Sequence, residues 1–354
     1  MKCKLSDICA FRKGKVDVSK LTLKTYISTE NMLPNKGGIT VASSLPTVQL
    51  TQEYKKGDVI VSNIRPYFKK IWRAKNDGGC SNDVLVFQGN SNIDGDFLYY
   101  ILANDDFFAY SMATSKGTKM PRGDKTSIMQ YEVPVFDVDT QRKIASVLRC
   151  LDEKIELNSA INKNLEQQVQ AIFLKMFPDI FSASASSSFQ NLIEFSNGKK
   201  RPETIGDIPV YGGNGVLAYT NQSNAENCVI IGRVGAYCGN TFLCPEKCWT
   251  SDNAIQAKSK NEASPLFIYY LLRNASLPSR HIGTGQPLMT QAILNAIPVN
   301  EPSIQEIKSF INICTPLHET IFANEKQNTS LALLRNTLLP KLMSGELDVS
   351  DIDL

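Results

Sequence analysis

The chain has 354 residues, which is long enough for two domains of ordinary size. Hydrophobic residues make up 42% and charged residues 21% of it, so a wholly disordered or fibrous chain is excluded, and no apolar run approaches the roughly 20 residues that a membrane span needs. The net charge of +3 is spread unevenly, because residues 1–182 hold 25 basic and 20 acidic residues whereas residues 183–354 hold 13 and 15.

The N-terminal sequence MKCKLSDICAFRK has neither the continuous apolar segment nor the small-residue cleavage site of an export signal. The nine cysteines are an odd number at irregular spacings, which predicts free thiols in a reducing compartment. We therefore expect a cytoplasmic protein that does not associate with a membrane.

Residues 1–138 form the first predicted domain. Short runs of Val, Ile and Tyr broken by Gly, Pro and Asn predict strands and turns, and a short helix is predicted at residues 97–102. Residues 55–75 contain seven basic residues and one acidic residue, Asp58. Such an excess favours binding of a polyanion, although a solvated surface without a partner explains it equally well.

A long central helix is predicted over residues 139–181. Apolar residues recur there at steps of three and four, among them Ile144, Leu148 and Leu151, and this spacing is typical of a helix that packs along another helix. Some 35 helical residues span roughly 50 Å. A small domain cannot cover that length, so the helix needs a helical partner.

The Ser/Ala-rich residues from 182 onward predict a flexible linker that leads into a second domain, together covering residues 182–300. This domain repeats the first: FLYYIL at residues 97–102 returns as FIYYLL at residues 267–272, and other matches lie at offsets of about 164 to 170. In this alignment Arg65 is matched with Arg233. The period is too long for a solenoid and indicates two related domains in tandem.

A second long helix is predicted over residues 301–345, followed by an acidic tail at 346–354. The sequence therefore predicts an α+β protein: two similar, mostly-β domains with small helices, separated by two long helices packed as an antiparallel coiled coil. Four asparagines are predicted to fix the register of the helix pair: Asn158, Asn162, Asn324 and Asn328. In the alternative, Asn158 and Asn162 face solvent, and Leu157 and Ile161 line the seam.

Motifs for chemistry are weak throughout. There is no P-loop, and the GGNG turn at residues 212–215 does not open a predicted helix, which argues against a dinucleotide site. The cysteines at positions 228, 238, 244 and 248 contain no Cys-x-x-Cys pair, so buried thiols are favoured over zinc. Carboxylate-x-Lys tripeptides occur, but two of the three lie on the predicted long helices. No catalytic or metal-ligating residue is assigned.

Several motifs resemble the target recognition domains of type I restriction–modification specificity subunits. They are DVIVSNIRP at 58–66, GTKMP at 117–121, IIGRVGA at 230–236, WTSDNA at 249–254 and GTGQPL at 283–288. The resemblance extends over nearly the whole chain, and two such domains alternating with two long helices is specific to the family.

The resemblance implies a subunit that reads double-stranded DNA and performs no catalysis. Each domain would bind one half of a bipartite, asymmetric site, and the helices would set the gap between the halves. They would also dock two methyltransferase (modification) subunits, which motor-nuclease (restriction) subunits would join. No cofactor is expected in this chain, whereas S-adenosylmethionine, ATP and Mg²⁺ are expected in the partner subunits, where DNA methylation occurs.

Basic and amide side chains are predicted to form the DNA face, because such groups contact phosphates and base edges. In the first domain they are Arg65, Lys69, Lys70, Arg73, Lys116, Lys119, Arg122 and Lys125. In the second domain they are Lys199, Lys200, Arg201, Arg233, Arg280 and Gln286. Two alternatives stay open: a tandem-domain scaffold that binds something other than DNA, and a restriction enzyme or methyltransferase with its own catalysis.

Overall fold

A computed structural model describes residues 2–182, 185–260, 264–283 and 285–352. The chain forms two compact units: the first contains Met1–Asn158 and Lys326–Leu354, and the second contains residues 159–325. Each unit therefore holds one of the predicted domains and parts of both long helices. Four residues named in the sequence predictions lie outside the described residues: Ala183 and Ser184 of the linker, Thr284 of the GTGQPL motif, and Asp353 of the tail.

The first unit begins with a β-rich domain. Its strands are β1 (Lys2–Lys4), β2 (Cys9–Phe11), β3 (Lys15–Asp17), β4 (Tyr26–Ile27), β5 (Leu50–Tyr54), β6 (Val59–Ser62), β7 (Ile71–Arg73), β8 (Gly78–Cys80), β9 (Val84–Gly89) and β10 (Glu132–Pro134). Its helices are α1 (Leu5–Ile8), α2 (Gly95–Ala103), α3 (Asp105–Ala113), α4 (Lys125–Ile128) and the start of α5 (Val138–Met176). One antiparallel sheet has the order β2-β9-β6-β7, a second has the order β3-β5-β8-β4, and β1 pairs with β10.

Strand β6 is buried on both faces, which explains why its sequence is continuously apolar. Val59 and Val61 point into the core that contains Phe97 and Leu98 of α2, whereas Ile60 points into a separate core. Asp94 caps the N-terminus of helix α2, and its carboxylate accepts hydrogen bonds from Asp96 N and Phe97 N. The helix predicted at residues 97–102 is thus confirmed and lies against the first sheet.

The second unit repeats this plan. Its strands are β11 (Ser187–Ser188), β12 (Ile193–Asn197), β13 (Ile208–Gly212), β14 (Gly215–Thr220), β15 (Cys228–Gly232), β16 (Thr241–Cys244), β17 (Trp249–Thr250), β18 (Ala254–Ser259) and β19 (Pro298–Val299). Its helices are α6 (Phe189–Leu192), α7 (Pro265–Asn274), α8 (Gln291–Asn295) and part of α9 (Ile304–Ser344). The sheet β12-β18-β15-β16 matches β2-β9-β6-β7 strand for strand, but the other sheet, β14-β13-β17, has a different order.

The bounds of the long elements follow local chemistry. Helix α5 ends at Met176 because Pro178 disfavours helical backbone at the residue before it. Ser187 and Ser188, the last residues of the Ser/Ala run, are not linker but form β11, which pairs with β19.

Within each unit the two long helices pack antiparallel. In the first unit, Leu148 from the start of α5 shares a core with Leu339 and Leu342 from the end of α9. In the second unit, Phe173 from the end of α5 shares a core with Phe310 from the start of α9. The predicted α+β class with an antiparallel helix pair is confirmed.

Each domain is tied to the helices by a tyrosine at the same position. In the first unit, the Tyr100 hydroxyl donates to Asp152 at 2.8 Å, and Arg335 donates to the same carboxylate at 2.5 Å. In the second unit, the Tyr270 hydroxyl lies 3.1 Å from Nε2 of the buried His318. Burial lowers the pKa of His318 to about 4, so this imidazole is neutral at pH 7.

Across the described residues, no helix is both long and apolar enough to cross a membrane. All nine cysteines are free thiols, and seven of them are buried in the cores of the two units.

Candidate nucleic-acid interface

The predicted basic loop of the first domain is a closed hairpin over residues 116–122. Lys116 N donates to Arg122 O at 2.9 Å, and Arg122 N donates to Lys116 O at 3.0 Å. Gly117 takes a φ of +91° at the turn, which an L side chain rarely adopts. The hairpin is held to the segment after β6, because Arg65 N donates to Pro121 O at 2.8 Å. The backbone therefore presents residues 116–122 in a defined position.

The same hairpin occurs in the second domain at residues 282–288. Ile282 N and Leu288 O are 3.0 Å apart, and the reciprocal bond measures 2.9 Å. Gly283 has a φ of +89°, as Gly117 does, and Gly235 N donates to Pro287 O at 2.9 Å. Both predicted domains thus carry one backbone arrangement with different side chains.

This equivalence corrects the predicted match of Arg65 with Arg233. Arg65 N and Gly235 N make the same bond to the hairpin proline, whereas Asn63 N and Arg233 N each bond the turn before the next strand. Asn63 is therefore the counterpart of Arg233, and Gly235 is the counterpart of Arg65. The sequence match failed because it aligned like charges at an offset of 168, whereas the backbone bonds place the counterparts of Asn63 and Arg65 170 positions further along the chain.

Arg65 lies in a backbone conformation that suits glycine. Its φ is +50°, and that of its counterpart Gly235 is +74°. A non-glycine residue there is strained. Among the described residues, the buried Nε of Arg65 has no hydrogen-bond partner. The strain places a guanidinium beside the hairpin at a point where the second domain has no side chain.

The side chains of residues 116–125 are mostly exposed. Lys116 pairs with Asp124 at 2.6 Å, and Arg122 pairs with Asp83 at 2.9 Å, but both basic side chains stay more than half exposed. Lys119 is exposed and makes no ion pair with a described residue. Lys125 lies 5.9 Å from the centre of the Phe11 ring. With Arg65, these residues form the basic hairpin of the first domain.

The remaining predicted residues of the first domain are engaged internally. Lys69 pairs with Asp105 at 2.8 Å, and Lys70 donates to Thr29 O at 2.6 Å. Arg73 lies at the far end of β7 from the turn that carries Arg65, and it is paired with Asp96 of α2. Lys69 and Lys70 lie on the same turn between β6 and β7 as Arg65 and are therefore placed with the basic hairpin. Arg73 lies away from it.

The second hairpin carries little charge. At the positions of Lys116, Lys119 and Arg122 it has Ile282, Gly285 and Leu288. Gln286 is exposed at its tip, and Arg280 is exposed just before it, with Nε donating to Ala275 O at 2.7 Å. Its polar groups are therefore fewer than those of the first hairpin.

Arg233 and the Lys199–Arg201 run meet at one turn. Arg233 N donates to Asn253 O at 3.0 Å, and Lys199 N donates to Thr250 O at 3.0 Å. The side chains of Lys199, Lys200 and Arg201 are exposed, whereas Arg233 is half-buried. The turn between β17 and β18 thus brings together basic residues that are about 30 positions apart in the chain.

Two exposed tyrosines were not predicted as site residues. Tyr67 lies on the short 3₁₀ turn Pro66–Phe68, which directly follows Arg65. Tyr237 lies on the 3₁₀ turn Gly235–Tyr237, which begins at the counterpart of Arg65. Each residue is nearly half exposed, at 49% and 47%. The offset of 170 residues could have revealed them, since it matches Tyr67 with Tyr237.

All four predicted register asparagines lie in the helix pairs. In the first unit, Asn158 Nδ2 donates to Asn328 Oδ1 at 2.9 Å. In the second unit, Asn324 Nδ2 donates to Asn162 Oδ1 at 2.8 Å, and Asn162 Nδ2 donates to Ile321 O at 3.2 Å. Asn158 and Asn162 are buried, which disagrees with the solvent-facing alternative. Their control of register stays a prediction.

The sequence matches the family model of the type I restriction modification DNA specificity domain at residues 1–167 and 190–332. Among curated relatives, the HindI specificity subunit of Haemophilus influenzae is 32% identical over 184 residues, 49% of this chain and 40% of that protein. The MjaIX specificity subunit of Methanocaldococcus jannaschii is 25% identical over 323 residues, 77% of this chain and 74% of that protein. The match thus spans less than half of the first relative and about three quarters of the second.

Among solved structures, a type I restriction–modification S subunit from M. genitalium superposes with a TM-score of 0.59 at 19% identity. The alignment covers 97% of this chain and 96% of that one. The likeness supports the same fold.

Proposed function

Because the chain belongs to the type I restriction–modification DNA specificity family, we propose that it is the DNA-reading subunit of a type I restriction–modification complex. Each domain binds one half of a bipartite, asymmetric site. One observation carries the proposal: the two domains hold equivalent hairpins, residues 116–122 and 282–288, that present different side chains. Equivalent frames with different side chains suit the reading of two different half-sites.

The first domain contributes most of the phosphate contacts. Lys116, Lys119 and Arg122 are exposed on one closed loop, and Arg65 lies beside it. Lysine and arginine on such a loop displace counterions from the duplex, so binding weakens steeply as salt rises. The exposed ring of Tyr67 offers a surface for contact with sugars or bases.

The second domain relies more on direct contacts to bases. The exposed Gln286 can pair with adenine and Arg233 with guanine, while Ile282, more than half exposed, can contact a thymine methyl group. Lys199, Lys200 and Arg201 supply phosphate contacts next to Arg233. The lower charge of this domain agrees with the uneven division of charge along the chain.

The helices set the gap between half-sites and dock two methyltransferase subunits, to which motor-nuclease subunits bind. Apolar side chains exposed on helices support docking, because such groups outside a core often mark interfaces. In the first unit they are Leu157, Leu333 and Leu334, and in the second they are Ile161, Leu174 and Ile313. The chain performs no catalysis in this proposal. S-adenosylmethionine, ATP and Mg²⁺ act in the partner subunits, and the complex resides in the cytoplasm.

The test reconstitutes the chain with its methyltransferase subunits. We expect methylation of one bipartite, asymmetric sequence and DNA affinity that falls by orders of magnitude between 50 and 200 mM salt. Binding that does not respond to salt would instead support the non-DNA scaffold. Methylation by the isolated chain would support an enzyme with its own catalysis.

A further inference from the structure

Three cysteine sulfurs converge in the second unit. The Sγ atoms of Cys228, Cys244 and Cys248 all lie within 4.8 Å of one another, and all three residues are at most 2% exposed. The Cys244 thiol also donates to Glu246 O at 3.3 Å. The sequence spacing hid this cluster, because it contains no Cys-x-x-Cys pair.

The backbone brings the cysteines together through three neighbouring segments. Cys228 begins β15 and is the register partner of Cys244, at the end of β16. Cys248 is fixed by reciprocal bonds to the segment before β15, since its N–H donates to Ala225 O at 2.9 Å. Cross-strand partners hold two of the ligands at close range, and the third comes from a separate hydrogen-bonded segment.

The first unit uses the equivalent corner differently. Asp58 is the counterpart of Cys228 at an offset of 170, and it forms a two-pronged ion pair with Arg12, with one contact of 2.8 Å. Ala74 is the counterpart of Cys244. The corner is closed by opposite charges in the first unit and by three thiols in the second.

The surroundings favour a cation of charge +2. Ala225, Ile230 and Ala254 line the cluster, and Tyr211 and Phe242 cover it. The ammonium of half-buried Lys258 acts electrostatically on Cys228 and Cys248. Three thiolates, one divalent cation and Lys258 together carry no net charge, which is the condition for keeping ions in an apolar site.

We propose that Cys228, Cys244 and Cys248 bind a soft divalent cation, with zinc as the common biological example, and that this ion cross-links and stabilises the second unit. Thiolates select such ions over Mg²⁺ and Ca²⁺. A zinc–sulfur bond of about 2.3 Å places neighbouring sulfurs about 3.8 to 4.0 Å apart, so small side-chain movements suffice. The ion would fix the strand β15 that leads directly to Arg233.

The test titrates the full-length, reduced chain with Co²⁺ and follows sulfur-to-cobalt charge-transfer absorbance. We expect one equivalent to bind and to be displaced by Zn²⁺, with a rise in the unfolding temperature when Zn²⁺ is added. Cys244→Ser should weaken binding by more than the roughly 10- to 100-fold that loss of a mere supporting group causes.

Cys238→Ser is the matched control, because Cys238 is a buried thiol of the same unit outside the cluster. It should bind cobalt as the parent chain does. If Cys244→Ser fails to fold, Cys248→Ser and the zinc-induced shift of the parent chain provide the readout. No charge-transfer band from the folded parent chain, or equal binding by Cys244→Ser, would overturn the proposal.

Discussion

The hairpins at residues 116–122 and 282–288 share their backbone hydrogen bonds and a glycine at positive φ. Each is also hydrogen-bonded to the segment that follows an equivalent strand, β6 in the first unit and β15 in the second. They share almost none of their exposed chemistry, since lysines and an arginine in the first are isoleucine, glycine and leucine in the second. The comparison teaches that glycine and proline positions set the frame, while the residues between them are free to specify a ligand.

The largest effect is expected from a substitution that destabilises the second unit alone. A Cβ on Gly198 would lie 1.9 Å from Ser251 O, beside the turn that joins Lys199 to Arg233. Gly198→Ala should therefore destabilise the second unit by about 3 kcal/mol. Urea unfolding followed by Trp249 fluorescence in a Trp72→Phe background isolates this unit, because the chain has two tryptophans, one in each unit.

Gly285→Ala is the control for that variant, since a Cβ at Gly285 meets no atom within 4 Å. It should unfold with the parent midpoint. Equal destabilisation by both substitutions would contradict the close approach at Gly198.

The next largest effect is expected from acid, which should change the stability of the two units differently. The pKa of His318 is lowered to about 4 in the fold from its ordinary value of 6.5, so the unfolded chain binds a proton that the folded chain does not between these values. The stability from this group is complete above pH 6.5 and falls as the pH drops toward 4. Between pH 7 and pH 5 the second unit should lose about 2 kcal/mol.

His318→Phe removes the titrating group and should flatten this pH dependence in the same Trp249 assay. The first unit has Asp152 at the equivalent position and no histidine, so its stability, followed by Trp72 fluorescence in a Trp249→Phe background, serves as the reference. A second unit whose stability is constant from pH 7 to pH 5 would show that the imidazole is not buried as described.

A smaller effect is expected on DNA binding from the basic hairpin. Arg122→Ala removes an exposed charge whose ion pair with Asp83 adds little stability. The salt dependence of DNA binding by the complex should lose about one unit of slope. Lys2→Ala removes the same charge outside the hairpin, and should leave the slope unchanged; equal loss in both variants would remove the hairpin from the DNA face.

The smallest effect concerns the strained backbone at Arg65. Arg65→Gly relieves the positive φ and should stabilise the first unit by about 0.5 kcal/mol, while it weakens DNA binding. Gly235→Ala imposes a side chain on the same conformation and should cost the second unit about 1 kcal/mol. Unfolding midpoints that move in the same direction would disprove the equivalence of the two positions.

Much of the architecture was predictable from the sequence because the main motifs occur twice, and each copy supports the interpretation of the other. The FLYYIL and FIYYLL runs predicted α2 and α7, and the three- and four-residue steps predicted α5 and α9. The match of Arg65 with Arg233 failed because like charges were aligned, whereas the backbone bonds match Arg65 with Gly235. The cysteine cluster escaped because Cys228 and Cys244 meet across strands, and strand register is not visible in local spacing.

In the proposed function, each hairpin contacts one half of a bipartite site. Methylation mapping of genomic DNA modified by the complex tests it most directly, with Arg233→Ala and Gln286→Ala combined in the second domain. We expect relaxed sequence preference in one half-site, an unchanged other half-site and an unchanged gap. Altered preference in both halves, or in neither, would contradict it.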